Sequence, residues 1–209
     1  CRRPWSRVTY RAGDGIQGSE SVQLLVSVRS ADEARVALAG GAGIVDAKAP
    51  EAGALGAVSP ETLARIREAV PPDVPLSAAL GDVTSQGDVA TAFARLQVSL
   101  SFAKLGFQGV SQAHVVERLL GAAVTLAAGL SGGPGVIAVA YADWSRIGSL
   151  QPAAFPEIVH RAGAHGLLVD TAIKGKGRLP DFLAAEELRA LGRALRHHDL
   201  CFAVAGSLG

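Results

Sequence analysis

A chain of 209 residues with 49% hydrophobic and 19% charged side chains is too apolar to stay disordered and too short for two ordinary domains. Twenty basic against nineteen acidic residues leave a formal charge of +1, so no overall field exists to hold a nucleic-acid backbone. Two cysteines at opposite ends, Cys1 and Cys201, exclude a disulfide framework and a cysteine-rich metal cluster, and a reducing cytoplasm is the expected setting.

Residues 1–21 are polar, glycine-rich and aperiodic, and are expected to form a flexible N-terminal arm ahead of one folded domain over 22–209. Within the arm, Gly13 to Gly18 spells GxGxxG, but it precedes the first strand instead of linking a strand to a helix and is read as chance. From there the pattern alternates. A strand over Leu24–Val28 leads to a helix over Ala31–Gly40, and a strand over Ile44–Lys48 leads to a helix that starts with Ser59 as N-cap and Pro60 in the first turn. Further strands are expected over Leu76–Leu80, Phe102–Leu105, Val136–Tyr141, Gly166–Val169 and Phe202–Ala205. The helices between them are expected from about Asp88 to Gln97, Ala113 to Leu126, Ala153 to Ala162 and Asp181 to Arg196.

Leu119 to Ala142 carries no charged side chain and is long enough to span a bilayer. Its centre holds Gly132, Gly133, Pro134 and Gly135, which would break a spanning helix, so it is read as helix, turn and buried strand, with no membrane partner.

About seven βα repeats imply a parallel sheet covered by helices, either a closed (β/α)8 barrel or an open doubly wound sheet. Charges at several strand ends bear on the choice: Asp46 and Lys48, Asp82, Lys104, Asp143, and Asp170 with Lys174. In a barrel such ends converge on one mouth, whereas an open sheet spreads them along an edge, so the barrel is favoured.

Asp46 and Lys48 stand two apart on a strand and so point the same way. One reading is a strand-end ion pair. The other takes Lys48 as an amine whose charged form is disfavoured by apolar surroundings, the form that makes a Schiff base with a carbonyl. Lys104 lies inside a second apolar strand, where a charge is not normally left unpaired, and two such lysines would lower each other's pKa. Asp170 and Lys174 add a carboxylate and a third lysine. The loop from Lys174 through Gly175, Lys176, Gly177 and Arg178 is either solvated or closes on a phosphate. No P-loop or GxSxG elbow is present, and the five histidines lack zinc-ligand spacing and are read as surface residues.

Several segments resemble the (5-formylfuran-3-yl)methyl phosphate synthase family: Leu24 to Ser27, Ile44-Val45-Asp46-Ala47-Lys48-Ala49-Pro50, Gly53 to Ala57, Ser77 to Asp82, Ala103 to Gly106, Ala140 to Asp143 and Leu168 to Lys174. The likeness runs from about Leu24 to the end of the chain. It implies a TIM-barrel catalytic domain over 22–209, a lyase that condenses two molecules of glyceraldehyde 3-phosphate to a furan aldehyde phosphate with loss of water and phosphate. By the same resemblance the product serves methanofuran or methylofuran, with no metal or redox cofactor. Lys48 matches the Schiff-base residue and Lys104 the proton acceptor; Asp46, Asp170 and Lys174 match further active-site positions. Asp143, Gly206 and Ser207 are the candidate substrate and phosphate contacts. Family chains carry an eighth βα unit, whereas this sequence stops at Gly209, so that unit is expected to be absent from it.

The competing functions are a class I aldolase-like or phosphosugar-isomerising TIM barrel, or a non-catalytic barrel that binds phosphometabolites. In all of them the partner is a small molecule, not a nucleic acid or a membrane, and the chain is a candidate for homo-oligomerisation.

Overall fold

Seven short apolar runs form seven strands: β1 (Leu25–Val28), β2 (Ile44–Ala47), β3 (Leu76–Asp82), β4 (Phe102–Gly106), β5 (Gly135–Tyr141), β6 (Gly166–Asp170) and β7 (Cys201–Val204). In the computed structural model, which describes residues 22–130 and 132–208, all seven are parallel and lie in one sheet in the order of the chain. The expected arm, its GxGxxG stretch and Cys1 lie outside the described residues. A doubly wound sheet reverses its strand order at a switch point, and this one does not.

The sheet is also curled. Neighbouring strands stand about 4.8 Å apart, so in a flat sheet β2 and β6 would be about 19 Å apart, far beyond the reach of a lysine. Lys48 Nζ, just past the end of β2, lies 3.6 Å from Asp170 Oδ2 at the end of β6. The described residues thus form an α/β half-barrel of seven parallel strands.

Alternation along the strands sorts the two faces. Val45, Ala47, Leu76, Ala78, Ala103, Leu105, Val136, Ala138, Leu167 and Val169 point outward to the helices and make up most of the strand contribution to two large cores. Ala79, Ile137, Val139, Tyr141 and Leu168 fill the concave face, together with Ala54 and Leu55 from the loop after β2. Asp46, Ser77, Lys104 and Asp170 share that inner face and are buried.

The helices are α1 (Ala31–Ala39), α2 (Pro60–Ala69), α3 (Gln86–Ala94), α4 (Ala113–Gly129), α5 (Phe155–Arg161) and α6 (Ala185–His197). Ser59 caps α2 as expected, its side chain accepting the Thr62 N–H. Three starts differ from expectation for local reasons. Asp88 is the third residue of α3, where it forms a reciprocal capping box with Ser85. Pro152–Ala154 makes a 3-10 turn before α5, whose second residue, Pro156, has no N–H to donate. Leu179–Asp181 makes another, and α6 begins only at Ala185, after the Ala184 N–H meets the Glu187 carboxylate at 2.8 Å. The uncharged stretch from Leu119 divides between α4 and β5, and no helix among the described residues is long and apolar enough to cross a membrane.

Candidate active site

Strand register builds the deepest layer of the site. Asp46 lies beside Ser27 on β1 and Ser77 on β3. Both hydroxyls donate to its carboxylate, Ser27 Oγ to Oδ2 at 2.8 Å and Ser77 Oγ to Oδ1 at 2.5 Å. Lys104 reaches in from β4, and its Nζ donates to Asp46 Oδ2 at 2.6 Å. Asp46 is fully buried and Lys104 nearly so. Three donors there replace the water that the buried carboxylate has lost.

Lys48 sits one step nearer the mouth. Its partner is not Asp46, as a strand-end pair would require, but Asp170 from four strands away, at a long 3.6 Å. Burial pushes the Lys48 ammonium below the ordinary lysine pKa; Asp170 opposes this, Lys104 and Lys174 add to it, and Asp46 opposes it. Asp170 is the hub of this half. Its Oδ1 accepts the Thr171 N–H at 2.7 Å and Lys174 Nζ at 2.9 Å. Lys174 also donates to the Thr171 carbonyl at 2.8 Å, yet 49% of its side chain stays exposed. It can therefore turn toward a ligand.

Asp46, Lys48, Lys104, Asp170 and Lys174 are thus brought together as two linked groups, one buried and one at the rim. Asp143 is placed differently. It is buried with both oxygens engaged, Oδ1 by the Ala172 N–H at 2.8 Å and Oδ2 by the Ile173 N–H at 2.9 Å. That geometry lets it hold the turn from Asp170 to Lys174. Gly206 adopts φ +101 and packs so closely on Thr171 that a Cβ would come within 3.0 Å of it. Its carbonyl accepts the Leu179 N–H at 2.8 Å, and exposed Ser207 follows it.

A second carboxylate group was not assembled from the sequence. Tyr141 Oη, buried at the end of β5, donates to Asp82 Oδ1 at 2.8 Å, and the Gln108 N–H donates to the same oxygen at 3.0 Å. Burial and then the Asp82 charge, with Asp170 and Asp143 beyond it, push the phenol up and keep it protonated. The available signal was a tyrosine at the end of an otherwise aliphatic strand, since a buried phenol needs an acceptor. Ser27 and Ser77 could have been found as polar residues at inward-facing positions.

Among the described residues, no three His, Cys, Asp or Glu side chains are grouped so as to hold a metal ion. His114, His160 and His197 are exposed, while His165 and His198 are half-buried.

The chain is similar throughout to curated proteins of one kind. A (5-formylfuran-3-yl)methyl phosphate synthase from Methanopyrus kandleri is 39% identical over 188 residues, covering 89% of this chain and 79% of that one. The protein of the same description from Methanothermobacter thermautotrophicus is 37% identical over 188 residues, with the same coverage. Among solved structures, phosphonopyruvate hydrolase, in complex with oxalate and Mg2+, superposes with a TM-score of 0.61 over 89% of this chain and 76% of that one. At 15% identity that likeness shows the fold alone. The family model described as 4-HFC-P synthase matches residues 24–209, and the chain belongs to that family.

Proposed function

We propose that this protein condenses two molecules of glyceraldehyde 3-phosphate to (5-formylfuran-3-yl)methyl phosphate through a Schiff base on Lys48, serving the furan of methanofuran or methylofuran. The carrying observation is the Lys48 amine. It is mostly buried, has its charge disfavoured by that burial, and among the described residues is held by one long contact, to Asp170. The names of the curated relatives support the product, a formylfuran methyl phosphate.

In this reading the neutral Lys48 Nζ attacks one triose phosphate carbonyl, and water leaves as the imine forms. Lys104 then removes the proton next to the imine carbon to give an enamine. Its 2.6 Å contact with Asp46 fixes the direction of the Lys104 amine for that transfer. The enamine expels the phosphate from its C3, the resulting enol adds through C3 to C2 of the second triose phosphate in its ketone form, and ring closure, loss of two waters and hydrolysis of the Lys48 imine release the furan. Atoms balance when one phosphate and two waters leave, with no net oxidation or reduction. Lys174 and the Gly206–Ser207 corner hold phosphate, and Asp143 keeps Lys174 in register. The same reading takes the curled seven-stranded sheet as part of a (β/α)8 barrel.

The test is incubation with glyceraldehyde 3-phosphate, borohydride trapping with peptide mass spectrometry, and an ultraviolet spectrum of the untrapped reaction. A substrate mass on Lys48 plus a furan chromophore is the expected result. An adduct without chromophore would assign an aldolase, and neither signal would leave a binding protein.

A further inference from the structure

Four carboxylates face the concave side or its rim, and three are fully engaged. Asp46 is held by two serines and Lys104. Asp170 is held by a backbone N–H and two lysines. Asp143 is held by two backbone N–H groups. Asp82 is not: both its donors, Tyr141 Oη and the Gln108 N–H, meet Oδ1, and among the described residues Oδ2 accepts no hydrogen bond.

The inward aim of Asp82 is itself built. Ser77 and Ala79 are inward, so strict alternation would turn Gly81 inward and Asp82 out to the helices. The β3–β4 register shifts between Ala79 and Asp82, Gly81 adopts φ +98, and Asp82 instead lies opposite Gly106. Such irregularities re-aim side chains beside active sites. Gly106 makes the room: a Cβ there would fall 2.2 Å from Asp82 Oδ1 and 2.5 Å from Tyr141 Oη. Gly106 lies two residues beyond Lys104 on the same strand face, about 6.6 Å further toward the mouth. The Asp82–Tyr141 pair therefore stands on the mouth side of Lys104, on the concave face that Lys48 also enters.

We propose that Asp82 is a further acid–base residue of the condensation, oriented by Tyr141 as a positioning residue, and that it acts in ring closure. This rests on the furan-forming reading above. As the ring C–O bond forms, the attacking hydroxyl's O–H bond breaks and its proton passes to Asp82 Oδ2. The carbonyl π pair moves to the carbonyl oxygen, and Asp82 returns the proton there, giving the hydroxyl that later departs as water. No other proton source is required.

The experiment compares wild type, Asp82→Asn, Asp82→Ala and Tyr141→Phe with glyceraldehyde 3-phosphate, reading the trapped Lys48 adduct and the furan absorbance separately. Asn keeps an oxygen for Tyr141 and Gln108. D82N is expected to trap substrate on Lys48 within twofold of wild type while furan formation falls at least 100-fold and a six-carbon, non-aromatic adduct accumulates. Added formate should restore D82A at least tenfold, a response that a merely structural role would not show. Y141F should lower kcat about tenfold with KM within twofold. The role is overturned if D82N makes furan within threefold of wild type, if it loses the Lys48 adduct as well, or if D82A does not respond to formate. A wild-type protein that makes no furan overturns the underlying reading instead, and this role with it.

Discussion

Replacing Asp46 with Asn tests how the deepest layer of the site is held. Asn keeps the shape but accepts from only one of the two serines, and it removes the charge that faces Lys104 at 2.6 Å, in a place where Asp46 is wholly buried and Lys104 is 4% exposed. Removing one partner of a buried pair costs about 3–5 kcal/mol, because the other charge stays buried. D46N should therefore lose about 3–5 kcal/mol in urea unfolding, and its Tm should fall by roughly 6–20 °C for a chain of this size. D46N with Lys104→Met removes both charges and should recover most of that stability while making no product. If D46N lies within 1 kcal/mol of wild type, or if the double variant is less stable than D46N, the buried pair does not carry the stability assigned to it.

The remaining predictions concern the rim. Imine formation on Lys48 should rise with pH and level off below 10.5, the ordinary lysine value, because burial lowers its pKa; borohydride trapping across pH reads this. By linkage, the folded state binds fewer protons than the unfolded one between the lowered pKa and 10.5. Wild type should therefore gain stability relative to Lys48→Met as pH rises through that window, and a flat difference would contradict it. Asp143→Ala strands two backbone N–H groups and should cost about 2–4 kcal/mol, whereas Asp143→Asn keeps one acceptor oxygen and should cost about half as much in the same urea assay. Gly106→Ala drives a methyl into Asp82, Tyr141 and Leu55, and should cost about 1–3 kcal/mol and most of the activity; full activity would show that this wall gives way freely.

What could be read from the sequence was whatever depends on near neighbours along the chain. Ser59 and Pro60 mark a helix start by their own chemistry, and they do so in the structure. Lys104 and Asp46 stood out because charges in apolar strands are costly. Their pairing with each other was not legible, because Asp46 has Lys48 two residues away and meets Lys104 only across a curled sheet. Asp82 was visible as a charge at a strand end, but its direction depends on a register shift at Gly81 that alternation does not predict. Asp143 looked like a ligand contact because nothing local reveals that the N–H groups of Ala172 and Ile173 take both its oxygens.

The strand order has a consequence for how the molecule comes into being. Each strand docks on the one made just before it, so a chain leaving the ribosome can add βα units one at a time without waiting for a distant partner. Asp46 meets Ser27 at once, Ser77 thirty-one residues later and Lys104 only after fifty-eight. Through that interval the nascent core holds an uncompensated carboxylate that stays open to water until β4 arrives. Lys48 waits longer still, for β6, so its ammonium stays solvated until the curled sheet around it is nearly assembled. A partly made chain therefore carries Lys48 as an ordinary solvated ammonium, and its pKa falls only when the last strands bury it.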